Sequence, residues 1–292
     1  MSDSANLLSV EDGNFVILGD ALEVARRIPD QTAQLVYLDP PFNTGQTQRR
    51  VSLSTFSAPD GDRTGFGGRR YRSEIRSHHE YKDSYDDYLA FLRPILVEVR
   101  RILTHDGTLY FHIDPRESHY CKVLLDEIFG REAFLNEIIW AYDFGGRSTR
   151  RWPQKHDTIL VFVRTPGHHH FSQDEVARIP YMAPGLVTPE KRARGKFPTD
   201  VWWHTIVPTS GKEKTGYPTQ KPLGILRRIV TASSEQGALV VDLFAGSGTT
   251  AVAAQEYGRR FLMVDQNPSA TDIMRQRLAS VHVTSLDLRS QD

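Results

Sequence analysis

The residues best suited to chemistry stand at the end of a short apolar run, where Asp39, Pro40, Pro41 and Phe42 follow residues 35–38. The apolar run is typical of a buried strand, and because prolines cannot continue a sheet ladder, the strand should end at Asp39. In open α/β sheets, ligands bind at the carboxyl ends of the strands. The tetrapeptide would place a carboxylate, backbone carbonyls and a flat ring on one rigid turn. The alternative is that Asp39 only caps a turn.

A second candidate site follows another apolar run near the end of the chain. Residues 239–243 predict a buried strand, and the loop 244–248 leads into an alanine-rich helix that begins at Thr249. A further strand over 261–264 ends at Asp265. This order is typical of a nucleoside-binding unit, in which the second acid accepts hydrogen bonds from the ribose hydroxyls.

The sequence of the loop 244–248 does not match two common kinds of nucleotide-binding site. It lacks the lysine of a phosphate-binding P-loop, and it lacks the three-glycine spacing of dinucleotide sites. Gly246 and Gly248 would let the backbone approach a ligand closely, and the helix beginning near Thr249 offers free N–H groups to an anion. An adenosine ligand with one carboxylate, such as S-adenosylmethionine, fits this combination.

Composition bounds the class of protein. The chain has 292 residues, 39% of them hydrophobic, which is enough to form one large α/β domain with an appended subdomain. Lys and Arg together number 36, as do Asp and Glu, so only clustered charge would indicate a polyanion partner. The single cysteine, Cys121, allows no internal disulfide, which suits the cytoplasm. No apolar run approaches the roughly 20 residues needed to span a bilayer.

The order of the elements predicts that the two ends of the chain share one sheet. A strand at 15–18, a helix at 20–28 and the strand ending at Asp39 predict two parallel strands joined by a right-handed crossover. Placing the two C-terminal strands beside them yields one doubly wound sheet. The loop 244–248 and the Pro-Pro turn then lie on adjacent central strands, at a switch point of the sheet.

Apolar periodicity predicts the elements between these ends. The predictions are helices at 85–103, 119–129 and 222–234, a strand at 108–113, an antiparallel pair at the sheet edge formed by 136–142 and 157–163, and a last helix at 270–280 followed by a polar tail.

Two stretches show no regular period. Residues 43–80 are rich in arginine and glycine, and they predict a mobile phosphate-binding arm, with a merely solvated loop as the alternative. Residues 165–216 are rich in Pro, Gly, His, Lys and Trp, and they predict a small separate module.

Together, residues 39–42 (DPPF) and 242–250 (DLFAGSGTT) resemble the DNA amino-methyltransferases. Their order resembles the permuted β group of that family, with the catalytic motif first and the cofactor motif last. Residues 19–22 resemble the acidic strand tip ahead of the catalytic strand, and 217–222 resemble the segment leading into the cofactor half, although Tyr stands where the family commonly has His. The resemblance implies an α/β fold with a Rossmann-like S-adenosylmethionine-dependent methyltransferase sheet, circularly permuted, with a small inserted target-recognition module.

The resemblance also divides the chain and assigns its residues. It implies a catalytic half at 1–164, in which 43–80 is a mobile arginine-rich loop, a target-recognition module at 165–216 and a cofactor-binding half at 217–292. It implies no metal. The implied catalytic residues are Asp39, Pro40, Pro41 and Phe42. The implied cofactor residues are Asp20, Lys221, Asp242, Phe244, Ala245, Gly246, Ser247, Gly248, Thr249, Thr250 and Asp265. The candidate DNA-binding residues are Arg49, Arg50, Arg69, Arg70, Arg147, Arg150 and Arg151, with a solvated turn as the alternative for the last three.

The chemistry implied is direct methyl transfer from S-adenosylmethionine to adenine N6 of a base extruded from duplex DNA. Asp39 and the carbonyl of Pro40 would each accept an N–H of the amino group, and Phe42 would stack on the base, where the family more often has Tyr. An Asp in first place is the usual pattern for adenine N6, whereas Ser is usual for cytosine N4. Direct displacement needs no covalent enzyme intermediate.

Other interpretations of the same residues keep the cofactor but change the target to cytosine N4 or an RNA base, or leave a non-catalytic DNA-binding module with a relic cofactor pocket. The implied partner is double-stranded DNA and not a membrane, in the cytoplasm and associated with the nucleoid. A homodimer and a separate restriction endonuclease are further partners that the resemblance allows.

Overall fold

The computed structural model describes residues 8–10, 13–43, 46–57, 63–64, 70–83, 85, 87–145, 147–208, 211 and 213–289, with the backbone alone over 46–57, 63–64 and 70–83. The chain divides into two compact units, one formed by Met1–Pro40 with Leu89–Asp292 and the other by Pro41–Tyr88. Among the residues described, no helix combines the length and apolar character that crossing a bilayer requires.

The described residues form the following helices and strands. The strands are β1 (Phe15–Leu18), β2 (Ala33–Leu38), β3 (Gln46–Ser57), β4 (Arg63–Thr64), β5 (Arg70–Asp83), β6 (Leu103–Ile113), β7 (Phe134–Ala141), β8 (His156–Val163), β9 (Val201–Trp203), β10 (Leu239–Asp242), β11 (Arg260–Asp265) and β12 (Thr284–Asp287). The α-helices are α1 (Ala21–Ala25), α2 (Tyr88–Ile102), α3 (Ser118–Phe129), α4 (Pro189–Arg194), α5 (Leu223–Ser233), α6 (Thr249–Glu256) and α7 (Pro268–Arg277).

The first unit contains a nine-stranded sheet in the order β12-β1-β11-β10-β2-β6-β8-β7-β9. From β12 to β6, each described strand is parallel to its neighbour. Strand β8 is antiparallel to both β6 and β7, and β9 joins β7 in parallel. Mixed sheets of this kind keep their parallel part buried and add antiparallel strands at one side.

The prediction that the two ends of the chain share one sheet is confirmed. Strand β10 pairs in parallel with β2, and the register sets Val241 opposite Val36 and Asp242 opposite Tyr37. Every residue of β1, β2 and β10 is buried. Unbroken apolar runs suit central parallel strands because both faces of such strands are covered.

The predicted helices are present, with shifted ends. Helix α2 begins at Tyr88 rather than 85, and Pro94 lies inside it. Because Pro94 has no N–H to donate, the helix lacks one internal hydrogen bond there, and the packing of the helix offsets the free energy lost. The stripe predicted for this helix is buried: Tyr88, Leu92, Ile95, Val99 and Ile102.

Within 43–80, the described residues 46–57, 63–64 and 70–80 form strands, so the expectation of a structureless loop is wrong for them. Strands β3 and β5 pair antiparallel along their length, and β4 pairs with β5, which gives the second unit a three-stranded sheet. The strands were missed because polar residues occur at both alternating positions, so no period of two marks them. At the base of this unit, Tyr88 Oη donates to the carbonyl of Pro41 at 2.6 Å, and Asn43 Oδ1 accepts from Tyr85 N at 3.0 Å.

Two further expectations are corrected at the sheet edges. Residues 165–216 belong to the first unit, and β9 from this stretch pairs with β7; that this stretch is a target-recognition module stays a prediction. The β7–β8 pair is therefore not the edge of the sheet. At the other edge, the tail expected to be only polar contributes β12, which pairs with β1. Both strands are short, three residues in β9 and four in β12, so neither is long enough to show a hydrophobic period.

Candidate active site

Four carboxylates follow or end four neighbouring strands at one edge of the sheet. Asp20 comes two residues after β1, Asp39 comes directly after β2, and Asp242 and Asp265 are the last residues of β10 and β11. Because parallel strands end at the same edge, the strand order places these acids in one row. The structure thus brings the predicted catalytic acid and the predicted cofactor acids to one edge.

The two carboxylate oxygens of Asp39 have different surroundings. Oδ2 lies 2.6 Å from Lys221 Nζ, and the two side chains are only 14% and 13% exposed. Oδ1 is buried and has no hydrogen-bond partner among the residues that the structure describes. Since a buried acceptor is costly to leave unpaired, Oδ1 is suited to receive an N–H from a ligand.

A buried histidine lies beside Asp39. His112 Nδ1 is 4.0 Å from Asp39 Oδ1 and 2.7 Å from the hydroxyl of Tyr37, and Nε2 is 3.1 Å from Asp157 Oδ2. Tyr142 donates its hydroxyl to the other oxygen of Asp157 at 3.0 Å. Because a carboxylate only accepts, His112 Nε2 donates to Asp157, and Nδ1 shares a hydrogen bond with the Tyr37 hydroxyl.

Burial and charge fix the protonation of two groups in this network. Burial, together with the charges of Asp39, Asp242 and Asp157, raises the pKa of Tyr37 well above its usual value, so Tyr37 is a neutral phenol. Burial would raise the pKa of Asp157, but its hydrogen bond with His112 and neighbouring positive charge lower it. Asp157 is therefore an anionic acceptor that holds the imidazole in place.

Sequence reasoning missed this network. The sequence feature that could have revealed it is a polar residue within an apolar strand. His112 interrupts the apolar residues of β6, and Asp157 stands among the buried residues of β8. A buried polar side chain requires a partner, so two such strands predict that their polar residues meet. Nothing in the local pattern names the partner, because residues 112 and 157 are brought together by the β6–β8 pairing.

On the cofactor side, Asp242 is held by two donors. Phe244 N donates to Oδ1 at 3.0 Å, and the Thr250 hydroxyl donates to Oδ2 at 2.6 Å. Burial raises the pKa of Asp242 to about 7 despite these hydrogen bonds, and the charges of Asp39 and Asp265 act in the same direction. Asp242 therefore ties the start of α6 to the end of β10.

The raised pKa of Asp242 predicts a pH-dependent stability. The unfolded chain releases this proton near pH 4, while the native state keeps it until about pH 7. Stability should therefore fall as pH rises through this window, by at most roughly 4 kcal/mol. We expect Asp242→Asn, which stays neutral, to flatten that slope in denaturant unfolding measured from pH 4.5 to 8. Equal slopes in the wild type and the variant would contradict this assignment.

Asp265 organises the glycine loop. Its Oδ2 accepts from Gly246 N at 2.8 Å, and its Oδ1 accepts from Asn267 N at 2.8 Å. Burial raises its pKa against these two hydrogen bonds. Each carboxylate oxygen has a second lone pair, so Asp265 can also accept from a ligand hydroxyl.

The two glycines of the loop are required by the protein itself. Gly246 and Gly248 have φ of +52° and +74°, which L side chains rarely adopt. A Cβ on Gly248 would lie 2.5 Å from Met274 Cγ, and one on Gly246 would lie 3.1 Å from Tyr217 Cε1. Protein side chains therefore account for the absence of a Cβ at both positions, and the approach of a ligand to this backbone stays a prediction.

The rest of the loop is fixed by a residue that sequence reasoning missed. Arg277 Nη1 donates to the Ser247 carbonyl at 2.7 Å and to Thr249 Oγ1 at 3.1 Å. Thr249 Oγ1 in turn donates to the Lys221 carbonyl at 3.2 Å. Burial lowers the pKa of Arg277. The cofactor loop is thus connected through Lys221 to Asp39.

Several other predicted residues have structural roles visible here. Ala245 is buried, and its N–H donates to the Val264 carbonyl at 2.9 Å. Asp20 caps α1 by accepting from Leu22 N and Glu23 N. Lys221, predicted as a cofactor residue, pairs with Asp39.

The remaining predicted residues lie in the second unit, on the connection between β7 and β8, or at positions whose side chains the structure does not describe. Phe42 is partly buried and belongs to the second unit, together with Pro41. Arg147, Arg150 and Arg151 are exposed on the connection between β7 and β8. For the four remaining predicted DNA contacts, side-chain placement lies outside the description: Arg49, Arg50, Arg69 and Arg70.

The residues at the β10–β11 edge fit S-adenosylmethionine. Phe244 is partly exposed and its ring lies 6.4 Å from that of Phe91, which provides an apolar surface for adenine. Asp265 keeps lone pairs for ribose hydroxyls. Because Gly248 provides no side-chain cap for α6, the N–H groups of the first turn of α6 are suited to bind the carboxylate of the ligand. Fold and site together define an S-adenosylmethionine-dependent methyltransferase.

Comparison with known proteins agrees. A family model for DNA methylases, N6_N4_Mtase, matches residues 33–276, and the chain belongs to this family. It is 26% identical to the type II methyltransferase M.HpaI of Haemophilus parainfluenzae, over 91% of this chain and 74% of the relative. It is also 26% identical to the DNA adenine methyltransferase YhdJ of Escherichia coli K12, over 91% of this chain and 83% of the relative.

Solved structures share the fold. The Thermus thermophilus protein TTHA0409, complexed with S-adenosyl-L-methionine, matches with a TM-score of 0.59 at 22% identity, over 95% of this chain and 100% of that protein. The PvuII DNA methyltransferase, which is cytosine-N4-specific, matches with a TM-score of 0.60 at 16% identity, over 96% of both chains. The cofactor of this fold and family is S-adenosylmethionine.

Proposed function

We propose that this protein transfers a methyl group to N6 of a specific adenine in duplex DNA. The observation that carries the proposal is the buried Oδ1 of Asp39, which has no hydrogen-bond partner within the described part of the chain. This oxygen stands at the end of the strand that pairs with the cofactor strand β10. An amino group inside a duplex cannot reach this acceptor, so the target base must leave the stack.

The protein's part in the reaction is to position and polarise the amino group. S-adenosylmethionine, when bound, supplies an electrophilic methyl group on a sulfonium centre. Asp39 Oδ1 accepts one N–H, and the carbonyl of Pro40 accepts the other. Two acceptors favour a tetrahedral nitrogen, because they draw both hydrogens away from the ring plane and leave the lone pair free to attack. The carbon–sulfur bond of the donor would break as the carbon–nitrogen bond forms, S-adenosylhomocysteine would leave, and Asp39 would take up the proton that the amino group releases. Phe42, three residues from Asp39, stacks on the base.

Lys221 and His112 keep the acceptor ready for this task. The Lys221 ammonium, 2.6 Å away, forms an ion pair with Asp39 and holds Oδ2. With Oδ2 held, the carboxylate presents Oδ1 on the side of His112, at 4.0 Å. The geometry is set before the substrate arrives, which is how a fixed electrostatic environment accelerates a reaction.

Adenine is favoured over cytosine by the first residue of the catalytic tetrapeptide, Asp39. The similarity to YhdJ, an adenine methyltransferase, supports the same choice. Cytosine N4 is the second candidate, because a cytosine-N4-specific enzyme shares the fold. Methylome sequencing of a host that expresses the chain, with mass analysis of modified nucleosides, tests both. N6-methyladenine at one recognition sequence is expected, and N4-methylcytosine would overturn the adenine assignment.

We assign the first DNA contacts to the exposed arginines Arg147, Arg150 and Arg151, and sequence readout to 165–216. Arg49, Arg50, Arg69 and Arg70 are further candidates for phosphate contact. The enzyme would act on the nucleoid, in the cytoplasm. The type II name of M.HpaI supports a restriction–modification role, in which a separate endonuclease cleaves unmodified sites. A homodimer is part of the same proposal, to be tested by the mass of the enzyme in solution.

Replacing Arg147, Arg150 and Arg151 together by alanine should weaken DNA binding and its salt dependence. Each lost phosphate contact lowers the slope of log K against log salt by about 0.9, so the slope should fall by about 3. Fluorescence anisotropy with a labelled duplex from 50 to 300 mM salt measures it. Arg26→Ala, which removes an exposed arginine paired with Glu23, is the matched control. An unchanged slope would show that the three arginines do not contact phosphates.

A further inference from the structure

The connection between β7 and β8, residues 142–155, is anchored on the active-site network. We call it the β7–β8 loop. At its base, Tyr142 N donates to the Lys155 carbonyl at 3.0 Å, and the Tyr142 hydroxyl donates to Asp157 at 3.0 Å. Asp157 in turn contacts His112, which lies 4.0 Å from Asp39. The loop therefore begins and ends beside the residues that hold the catalytic acid.

The tip of this loop presents a tryptophan on an ordered turn. Ser148 Oγ accepts from Arg150 N at 3.3 Å and from Arg151 N at 3.2 Å. Trp152 follows directly and is 93% exposed. Pro153 restricts the backbone of Trp152 to extended conformations, which lowers the entropy lost when the indole is inserted elsewhere.

Aromatic rings and positive charge are concentrated at this part of the sheet edge. Phe144 is 62% exposed and Trp203 is 69% exposed, and the β7–β9 register sets Trp203 opposite Ala141, where the loop begins. Exposed aromatic groups in one region are typical of an interaction surface. The loop also carries the cations Arg147, Arg150, Arg151 and Lys155 against one carboxylate, Asp143.

A surface that combines exposed rings with several arginines is better suited to bind DNA, with a ring between stacked bases, than to bind an apolar protein surface. Arginines neutralise phosphates on both sides of a groove, while a flat ring stacks on bases of any sequence. Trp152 precedes Asp157 by five residues, so their Cα atoms lie at most about 18 Å apart. The ring is therefore within reach of the base pairs that flank a base presented to Asp39.

We propose that Trp152 enters the duplex and fills the gap that the extruded base leaves, stacking on the neighbouring base pairs. The proposal rests on the function proposed above and adds the residue that keeps the base outside the helix. Apolar side chains inserted between base steps have this effect in other DNA-binding proteins. In this role Trp152 is a positioning residue, since it touches neither the reacting nitrogen nor the methyl group.

The experiment compares methyl transfer by the wild type, Trp152→Ala and Trp152→Phe on two duplexes that carry the recognition sequence. In one duplex the target base is paired, and in the other an abasic site lies opposite it, so that extrusion breaks no base pair. Tyr120→Ala, which removes an exposed aromatic ring from α3, is the matched control.

On the paired duplex, Trp152→Ala should lower kcat/KM between about 10-fold and 100-fold, the usual effect of losing one stacking contact. On the abasic duplex its activity should return to within about threefold of the wild type. Trp152→Phe should retain most activity on both duplexes, and Tyr120→Ala should match the wild type.

Two results would overturn the role of Trp152. Trp152→Ala with wild-type activity on the paired duplex would show that the ring does not support extrusion. An equal loss on both duplexes would show that Trp152 contributes only to DNA affinity or to folding, or that the surface binds another partner. If the wild type itself transfers no methyl group to either duplex, the proposed function fails first, which separates the two inferences.

Discussion

Replacing Asp39 by alanine is expected to lower kcat for methyl transfer by about a thousandfold, the usual cost of removing one preorganised hydrogen-bonding group at a reacting atom. In the proposed function, the amino N–H is accepted by Oδ1 of Asp39, which no described residue contacts by a hydrogen bond. The carbonyl of Pro40 alone would not replace this acceptor. The effect should appear in kcat because the interaction strengthens as the nitrogen becomes tetrahedral. Single-turnover transfer of a labelled methyl group to duplex DNA measures it.

The control for Asp39→Ala is cofactor binding, which should remain within about fivefold of the wild type by calorimetry, a range of about 1 kcal/mol. In the proposed function Asp39 serves the base, whereas Asp242 and Asp265 hold the loop 244–248 by hydrogen bonds with Thr250 and Gly246. Asp39→Asn separates charge from shape, since it retains an acceptor but has no charge to match Lys221. Wild-type transfer by Asp39→Ala would contradict the mechanism, and loss of cofactor binding would place Asp39 in the cofactor site.

Lys221→Met should have the second largest effect, a loss of about 100-fold in kcat with an unfolding free energy lower by roughly 3 kcal/mol. The 2.6 Å ion pair with Asp39 is largely shielded from water, so removing the ammonium leaves a carboxylate without compensation. The carboxylate also loses the contact that orients it. Kinetics on duplex DNA and denaturant unfolding measure the two effects.

Lys221→Arg is the matched variant, because it keeps the charge and should restore much of the stability. The double variant Lys221→Met with Asp39→Asn should recover stability but not activity, since no buried charge remains unpaired. Cofactor affinity distinguishes the two assignments of Lys221. If Lys221→Met weakens S-adenosylmethionine binding by more than about 100-fold and leaves stability intact, Lys221 belongs to the cofactor site, as the resemblance had implied.

The central strands and their order were predictable from local pattern. Residues 35–38 and 239–241 are continuous apolar runs, and an acid follows each one, so both the strand and its ligand-binding end are marked within a few residues. The rule that parallel strands end at one edge then predicts that Asp39 and Asp242 are neighbours. The β2–β10 pairing confirms that prediction.

The partners of these acids were not predictable, because they come from distant parts of the chain. Lys221 approaches Asp39 from the segment before α5, and His112 approaches it from β6. Arg277 holds the cofactor loop from α7. None of these contacts leaves a periodic signal, since each depends on side chains that meet only after the strands have paired.

The sequence by itself determined which segments form the central strands and which acidic motifs stand at their carboxyl ends. Hydrophobic periodicity and proline placement mark these features because both act on neighbouring residues. Tertiary structure alone decided how the catalytic carboxylate is held: one oxygen lies against Lys221, and the other is buried near His112 without a hydrogen bond from any described residue. The pairing of β3 with β5, in a stretch where the sequence predicted a loop, also became visible only in the tertiary structure. The physical reason is that burial and charge pairing are properties of the folded surroundings, which local sequence does not encode.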